Sequence, residues 1–214
     1  MSNVEWFRRT AWSDVDREEF NAKLNRSRGA GNKAQYLRIQ AGHLAQSGYH
    51  DDAIELLNRL LREFPERMEL AQAHAQKAES LARLGQLEDA INEYRAALQA
   101  ERDFPTVQTN AWLDFGWLVV ERQLTDLYDE ATKVSREFRK ETDLKLPVIE
   151  YRYAVIQTLL ADARGEEATA QEFAKRALAE AAKVHSGLPY HPAVGRVGPE
   201  QSNFDSRLRA LAGS

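Results

Sequence analysis

The chain contains no cysteine. That excludes disulfides, thiolate nucleophiles and thiolate metal sites, and it suits a reducing compartment, so a cytoplasmic location is expected. An excess of one charge is also missing. The 29 Lys and Arg residues face 33 Asp and Glu residues, a net charge of −4 that leaves no electrostatic footprint for a nucleic-acid backbone. No apolar run approaches membrane-spanning length, and the opening stretch, despite Trp6 and Phe7, lacks the apolar segment of a signal peptide. Neither nucleic acid nor membrane is expected as a partner. What the chain does have is 43% hydrophobic and 29% charged residues over 214 positions, too apolar for disorder and well suited to amphipathic helices. A single domain over 1–214 is the expectation.

Recognisable catalytic chemistry is scarce as well. The five histidines form no HExxH pattern. His43 and His74 fall within helical patterns, His50 in a turn, and His185 and His191 in a Gly- and Pro-containing loop where two histidines alone do not define a metal site. Gly29-Ala30-Gly31 lacks the lysine and the preceding strand of a phosphate loop and reads as a linker between helices. The acidic pairs Asp51-Asp52 and Glu166-Glu167 stand at helix starts, where negative charge favours the dipole. No nucleophile, base and orienting group combine at a spacing that chemistry uses. No catalytic residue, metal or cofactor is therefore expected.

Only six prolines occur, and four of them are regularly placed. Pro65, Pro105, Pro147 and Pro189 each follow an apolar residue, at intervals of 40, 42 and 42 residues. Proline interrupts helices, and a period of this size predicts a repeat array. Each interval divides into two helical patterns. Leu37, Ala41, Leu44 and Ala45 form one apolar stripe, Ser47-Gly48 interrupts, and Ala53, Ile54, Leu57, Leu60, Leu61 and Phe64 form the next. The second interval turns at Gly85, the third near Thr125-Asp126 and the fourth at Gly165. Ahead of them, Ser13-Asp14-Val15-Asp16 predicts a capping box and a helix through about Arg26, with Val15, Phe20 and Leu24 on its apolar side. The expected plan is an N-terminal arm and capping helix over 1–31, repeats over 32–187, and a loop with a short final helix marked by Phe204, Leu208 and Leu211 over 188–214.

A turn glycine followed five residues later by alanine recurs as Gly48 and Ala53, Gly85 and Ala90, and Gly165 and Ala170, while the third unit offers Trp112, Gly116 and Tyr128-Asp129-Glu130-Ala131. This pattern resembles the tetratricopeptide repeat, in a degenerate form of about 40 rather than about 34 residues. A HEAT-like array of similar period is the alternative for the fold. The resemblance implies an all-α, right-handed solenoid of about four helix-turn-helix repeats with capping helices at both ends. It also implies that first helices line a concave groove, whose inward positions here are Gln35, Arg38, Gln72, Gln76, Glu79, Asn110, Asp114, Trp117, Glu121 and Arg152.

The function so implied is non-catalytic: a scaffold or adaptor holding a peptide or partner protein in that groove. The alternative is a regulatory repeat protein that responds to a small molecule or peptide. Trp6, Phe7 and Trp12 offer a second surface, through which the chain would form a homo-oligomer, because large aromatics are enriched at interface centres.

Overall fold

Four helix-to-helix turns share one backbone solution. Gly48, Gly85 and Gly165 have φ of +86°, +78° and +71°, and Gln123 has φ of +54°. At each turn the next residue donates its N–H to the carbonyl five positions back: Tyr49 to Leu44, Gln86 to Leu81, Leu124 to Val119 and Glu166 to Ala161, all at 2.9–3.0 Å. This is the left-handed helix stop that glycine favours, and it satisfies carbonyls the ending helix leaves open. The third turn therefore exists where the sequence shows no glycine. Thr125–Leu127 then forms a 3₁₀ turn before the next helix starts. These three added residues explain why the buried alanine comes eight positions after Gln123, at Ala131, but five after each glycine.

A left-handed conformation costs a non-glycine residue about 1–2 kcal/mol. Allowing for the greater freedom of unfolded glycine, Gln123→Gly is expected to raise stability by about 0.5–1 kcal/mol. Gly85→Gln is expected to lower it by about 1 kcal/mol through the backbone alone, since nothing lies within 4 Å of a Cβ built at Gly85. Urea denaturation of the two variants checks the pair. A loss on Gln123→Gly would show that its side chain contributes more than its backbone costs.

The computed structural model describes residues 5–139, 146–186, 188, 190, 191 and 193–213. Among these the chain is helical and has no strand. Contacts gather into two compact units, Met1–Ala111 and Trp112–Ser214. The first holds α1 (Asp14–Arg26), α2 (Ala30–Gln46), α3 (His50–Glu63), α4 (Arg67–Arg83) and α5 (Leu87–Asp103). Here α2 pairs with α3 and α4 with α5, while α4 also packs on α2 and α3. The second holds α6 (Ala111–Glu121) from its second residue on, with α7 (Tyr128–Phe138), α8 (Pro147–Ala163), α9 (Glu167–Ala181) and α10 (Asp205–Ala212). In it α8 pairs with α9, and α10 packs on α9.

Small residues permit these close pairings. Ala41, Ala78, Gly116 and Thr158 lie seven positions before the four turn residues, and all are buried. Ala53, Ala90, Ala131 and Ala170 are at most 1% exposed. A Cβ at Gly116 would stand 3.1 Å from Ile156 Cδ1, so α6 and α8 approach there more closely than alanine accommodates without adjustment.

The capping box is present: Ser13 accepts from the Asp16 N–H, and the Asp16 side chain accepts from the Ser13 N–H at 2.9 Å. Phe20 and Leu24 are fully buried, but Val15 is 63% exposed and takes no part in the core. It sits in the first turn of α1. Ala30 and Gly31 belong to α2 rather than to a linker.

The prolines serve different ends. Pro65 lies between α3 and α4, Pro105 follows α5, and Pro147 opens α8 instead of ending a helix. The first helical position needs no N–H, so proline is well tolerated there. Pro189, the fourth of the series, lies outside the described residues. In the loop that follows α9, Gly195 has φ of +73° and accepts a hydrogen bond from the Val148 N–H at 2.8 Å. A Cβ at Gly195 would meet Leu146 Cδ2 at 2.9 Å, so this turn requires glycine for both backbone and space.

Candidate functional site

The inward positions expected on the first helices fall in both units, and each set has its own surroundings. In the first unit, Gln35 and Asn110 are exposed and Gln72 is half-buried. Arg38 is tied to Glu69 by an ion pair in which both side chains are largely buried, so its charge is met within the chain. Gln76 and Glu79 line a cavity.

This cavity, of about 460 Å³, lies between α2, the start of α3 and α4. Ala41, Ala45 and Leu57 are among the apolar residues that line it, and His50, Gln76 and Ser80 among the polar ones. Ser80 is 1% exposed. The Ser80 hydroxyl, Gln76 Oε1 and His50 Nδ1 are all buried, and none has a hydrogen-bond partner among the described residues. An unpaired buried polar atom costs about 1–3 kcal/mol, so the three are a local cost to the fold. Gly42 bounds the same space: a Cβ there would reach 3.4 Å from Gln76 Nε2. Glycine inside a helix costs about 1 kcal/mol relative to alanine, and here it leaves room for the Gln76 amide. Glu79 and Arg83, one turn apart on α4, line the same cavity, are exposed, and have no ion-pair partner among the described residues.

In the second unit, Asp114 and Arg152 form a salt bridge of 2.8 Å. Burial pushes the Asp114 carboxyl above its usual range, with Arg152 acting in the opposite direction. The Arg152 guanidinium lies 5.1 Å from the Trp117 ring centre, and Phe204 meets that ring edge-on at 5.2 Å. Trp117 is thus half-buried among groups of its own unit. Tyr151 adjoins the cluster, its hydroxyl 3.5 Å from Asp205; burial, then the Asp205 charge, pushes its pKa to about 12. Glu121 is exposed and approaches its neighbour Arg122, at 3.9 Å.

The aromatic arm turns toward its own chain. Trp12 is 7% exposed, and Trp6, Phe7 and Trp12 gather around Phe20 and Tyr36 with ring centres 4.7–5.5 Å apart. Gln40, fully buried, holds the arm's backbone by both amide atoms: it accepts from the Arg9 N–H at 3.0 Å and donates to the Arg9 carbonyl at 2.8 Å.

Elsewhere, His74 Nδ1 lies 2.6 Å from Glu93, which also pairs with Lys77 at 2.7 Å. Burial works against the Glu93 carboxylate, but these two partners hold its pKa below the ordinary value. No group of three His, Asp or Glu side chains suited to a metal ion occurs among the described residues. His185 and His191 are both exposed. Neither acidic pair makes a side-chain cap: Asp52 instead meets Arg17 at 2.6 Å.

Sequence reasoning named Gln76 and Glu79 but not the groups that make a cavity of them. Ser80 sits between the apolar positions Ala78 and Leu81, and Gly42 lies inside a helix; both departures from helical preference are visible in the sequence. His50 opens α3 rather than lying in a turn, and nothing local marks its Nδ1 as buried. Comparison of the chain with protein-family models, curated proteins and solved structures gives no match.

Proposed function

We propose that this chain is a tetratricopeptide-like, right-handed helical-repeat protein of the cytoplasm that binds a peptide or a segment of a partner protein without catalysis. The four equivalent turns and the small residues at fixed offsets from them support the repeat reading. The binding reading rests on one observation above the others: the cavity between α2, α3 and α4 is lined by the polar and charged side chains of Gln46, Gln76, Glu79 and Arg83. Such a wall can hydrogen-bond an extended backbone, and Glu79 and Arg83 can each meet an opposite charge on a partner. The size of the same cavity also favours a second reading, a regulatory protein that takes up a small molecule there.

Capture from a lysate on immobilised protein, followed by trimming of the captured partner to its shortest binding segment, tests the first reading. Gln76→Ala and Glu79→Ala are expected to weaken binding of that segment, each by about 1–2 kcal/mol. Glu55→Ala on α3, whose side chain is 75% exposed, is expected to leave it unchanged. Folded Gln76 and Glu79 variants that hold the segment as tightly as the parent would move recognition to another surface.

A further inference from the structure

The C-terminal segment of the second unit covers side chains of α6 and α8. Phe204, just ahead of α10, meets the Trp117 ring edge-on at 5.2 Å, and Asp205 accepts a hydrogen bond from the Tyr151 hydroxyl at 3.5 Å. The Arg152 guanidinium, 5.1 Å from the Trp117 ring centre and held by Asp114, completes the surface they rest on. The segment is lightly anchored there. Phe204 and Asp205 are half-buried, and among the described side chains from 203 to 213 only Leu208 and Ala212 are buried. Arg207 pairs with Asp162 at 2.6 Å, but the Arg207 side chain is half exposed. An element with so few buried side chains opens locally at a fraction of the cost of global unfolding. Opening would leave Trp117 and Tyr151, two large aromatics, beside a cation. That combination recognises an aromatic side chain through edge contacts and the carboxylate next to it through the hydroxyl and guanidinium.

We propose that residues 203–213 are a tethered ligand covering a recognition surface made by Trp117, Tyr151 and Arg152, and that a partner segment in which an aromatic residue precedes an acidic one displaces it. Phe204-Asp205 is the template for that pair. A ligand tethered in cis competes at an effective concentration on the order of millimolar, so the surface stays closed to weak partners. A site that is open for only part of the time shows an affinity reduced by that fraction, and any change that loosens the segment raises the affinity. This assignment depends on the chain being a binder of partner segments. It gives that activity a second surface, separate from Gln76 and Glu79, and a closed state.

A fluorescein-labelled peptide with the sequence of residues 203–213 is the probe, and the full chain is titrated into it while anisotropy is followed. Leu208→Asp puts a charge where α10 packs on α9 and is expected to tighten peptide binding about tenfold or more over the parent. Arg207→Glu sets like charges against each other at Asp162, outside the core, and is expected to tighten it about threefold. The same peptide carrying Phe204→Ala is expected to bind each variant about tenfold more weakly, the loss typical of removing an aromatic anchor. Circular dichroism verifies that the variants are folded, and if Leu208→Asp loses its helices, Arg207→Glu decides. Equal affinity for the parent and the folded variants, no binding to those variants at millimolar concentration, or indifference to the phenylalanine would overturn the proposal and make residues 203–213 a permanent cap. Dimers of the Arg207→Glu chain that vanish on adding Phe204→Ala would place a second copy on the surface and overturn the partner assignment. Capture of a partner segment at Gln76 and Glu79 is read on the first unit and stands in each of these cases, so the two readings fail separately.

Discussion

Phe20→Ala is expected to lower stability by about 3–5 kcal/mol, the cost typical of emptying the space of a buried phenylalanine. Phe20 is fully buried, with Trp6 at 5.3 Å and Trp12 at 5.4 Å between ring centres. Truncation therefore removes the ring on which both tryptophans rest, together with edge and tilted contacts that add beyond simple burial. Urea denaturation followed by tryptophan fluorescence measures the loss, and the folded variant should emit at longer wavelength as Trp6 and Trp12 gain water. A loss below about 1 kcal/mol would mean that the arm does not rest on α1 and α2. In that event Trp6, Phe7 and Trp12 would be available to a second copy of the chain.

The next largest effect is expected in the second unit. Glu150, 7% exposed, is paired with Arg139 at 3.0 Å and also with Arg176. Both guanidinium groups approach the Tyr153 ring, Arg139 at 3.6 Å and Arg176 at 5.9 Å from its centre. Burial opposes the charged carboxylate, yet the two arginines more than offset it and hold the Glu150 pKa below its ordinary value of 4.5. Glu150→Gln leaves two cations around an uncharged amide and is expected to cost about 2–3 kcal/mol near neutral pH, less than for a fully buried pair because both arginines reach solvent. The sign with pH follows from the direction of the shift. A depressed carboxylate stabilises the fold above its unfolded pKa and ceases to do so as pH falls through its folded value. The stability gap between parent and Glu150→Gln should therefore be full near neutral pH and shrink below about pH 4.5. Urea midpoints at pH 7 and pH 3.5 measure it. A gap that is the same at both values would show that Glu150 contributes by shape and not by charge.

The helical plan was legible because its punctuation is local. Glycine reveals a left-handed stop by its identity, Ser13 and Asp16 reveal a capping box by their spacing, and stripes such as Leu37, Ala41 and Leu44 reveal a buried face by their period. Thr125-Asp126 falls inside the third connection, but the helix stop ahead of it is not legible, because Gln123 adopts a glycine-like conformation that its identity does not announce. The site was legible only in part, for a related reason. Gln76 and Glu79 follow from helix phase, but the cavity arises where α2, α3 and α4 converge, and no local pattern encodes the meeting of Gly42, His50 and Ser80. Charge was equally opaque. Arg38, Asp114 and Arg152 look available for a partner along the chain, and each is already paired with a residue of its own unit.

The grip of Gln40 on the arm also bears on how the chain would meet a protease. Arg8 and Arg9 form a dibasic step in non-helical backbone, the kind of sequence that trypsin-like enzymes cut when they can draw it out as an extended strand. Here the N–H and carbonyl of Arg9 are both engaged by the Gln40 amide, and the Arg9 guanidinium is paired with Asp16 and Glu19. To enter a cleavage cleft, this segment must give up both backbone bonds and lift Trp6 and Phe7 away from Phe20 and Tyr36. Cutting at that step then reports how often the arm detaches, so the arm carries its own gauge of local opening within an otherwise folded unit.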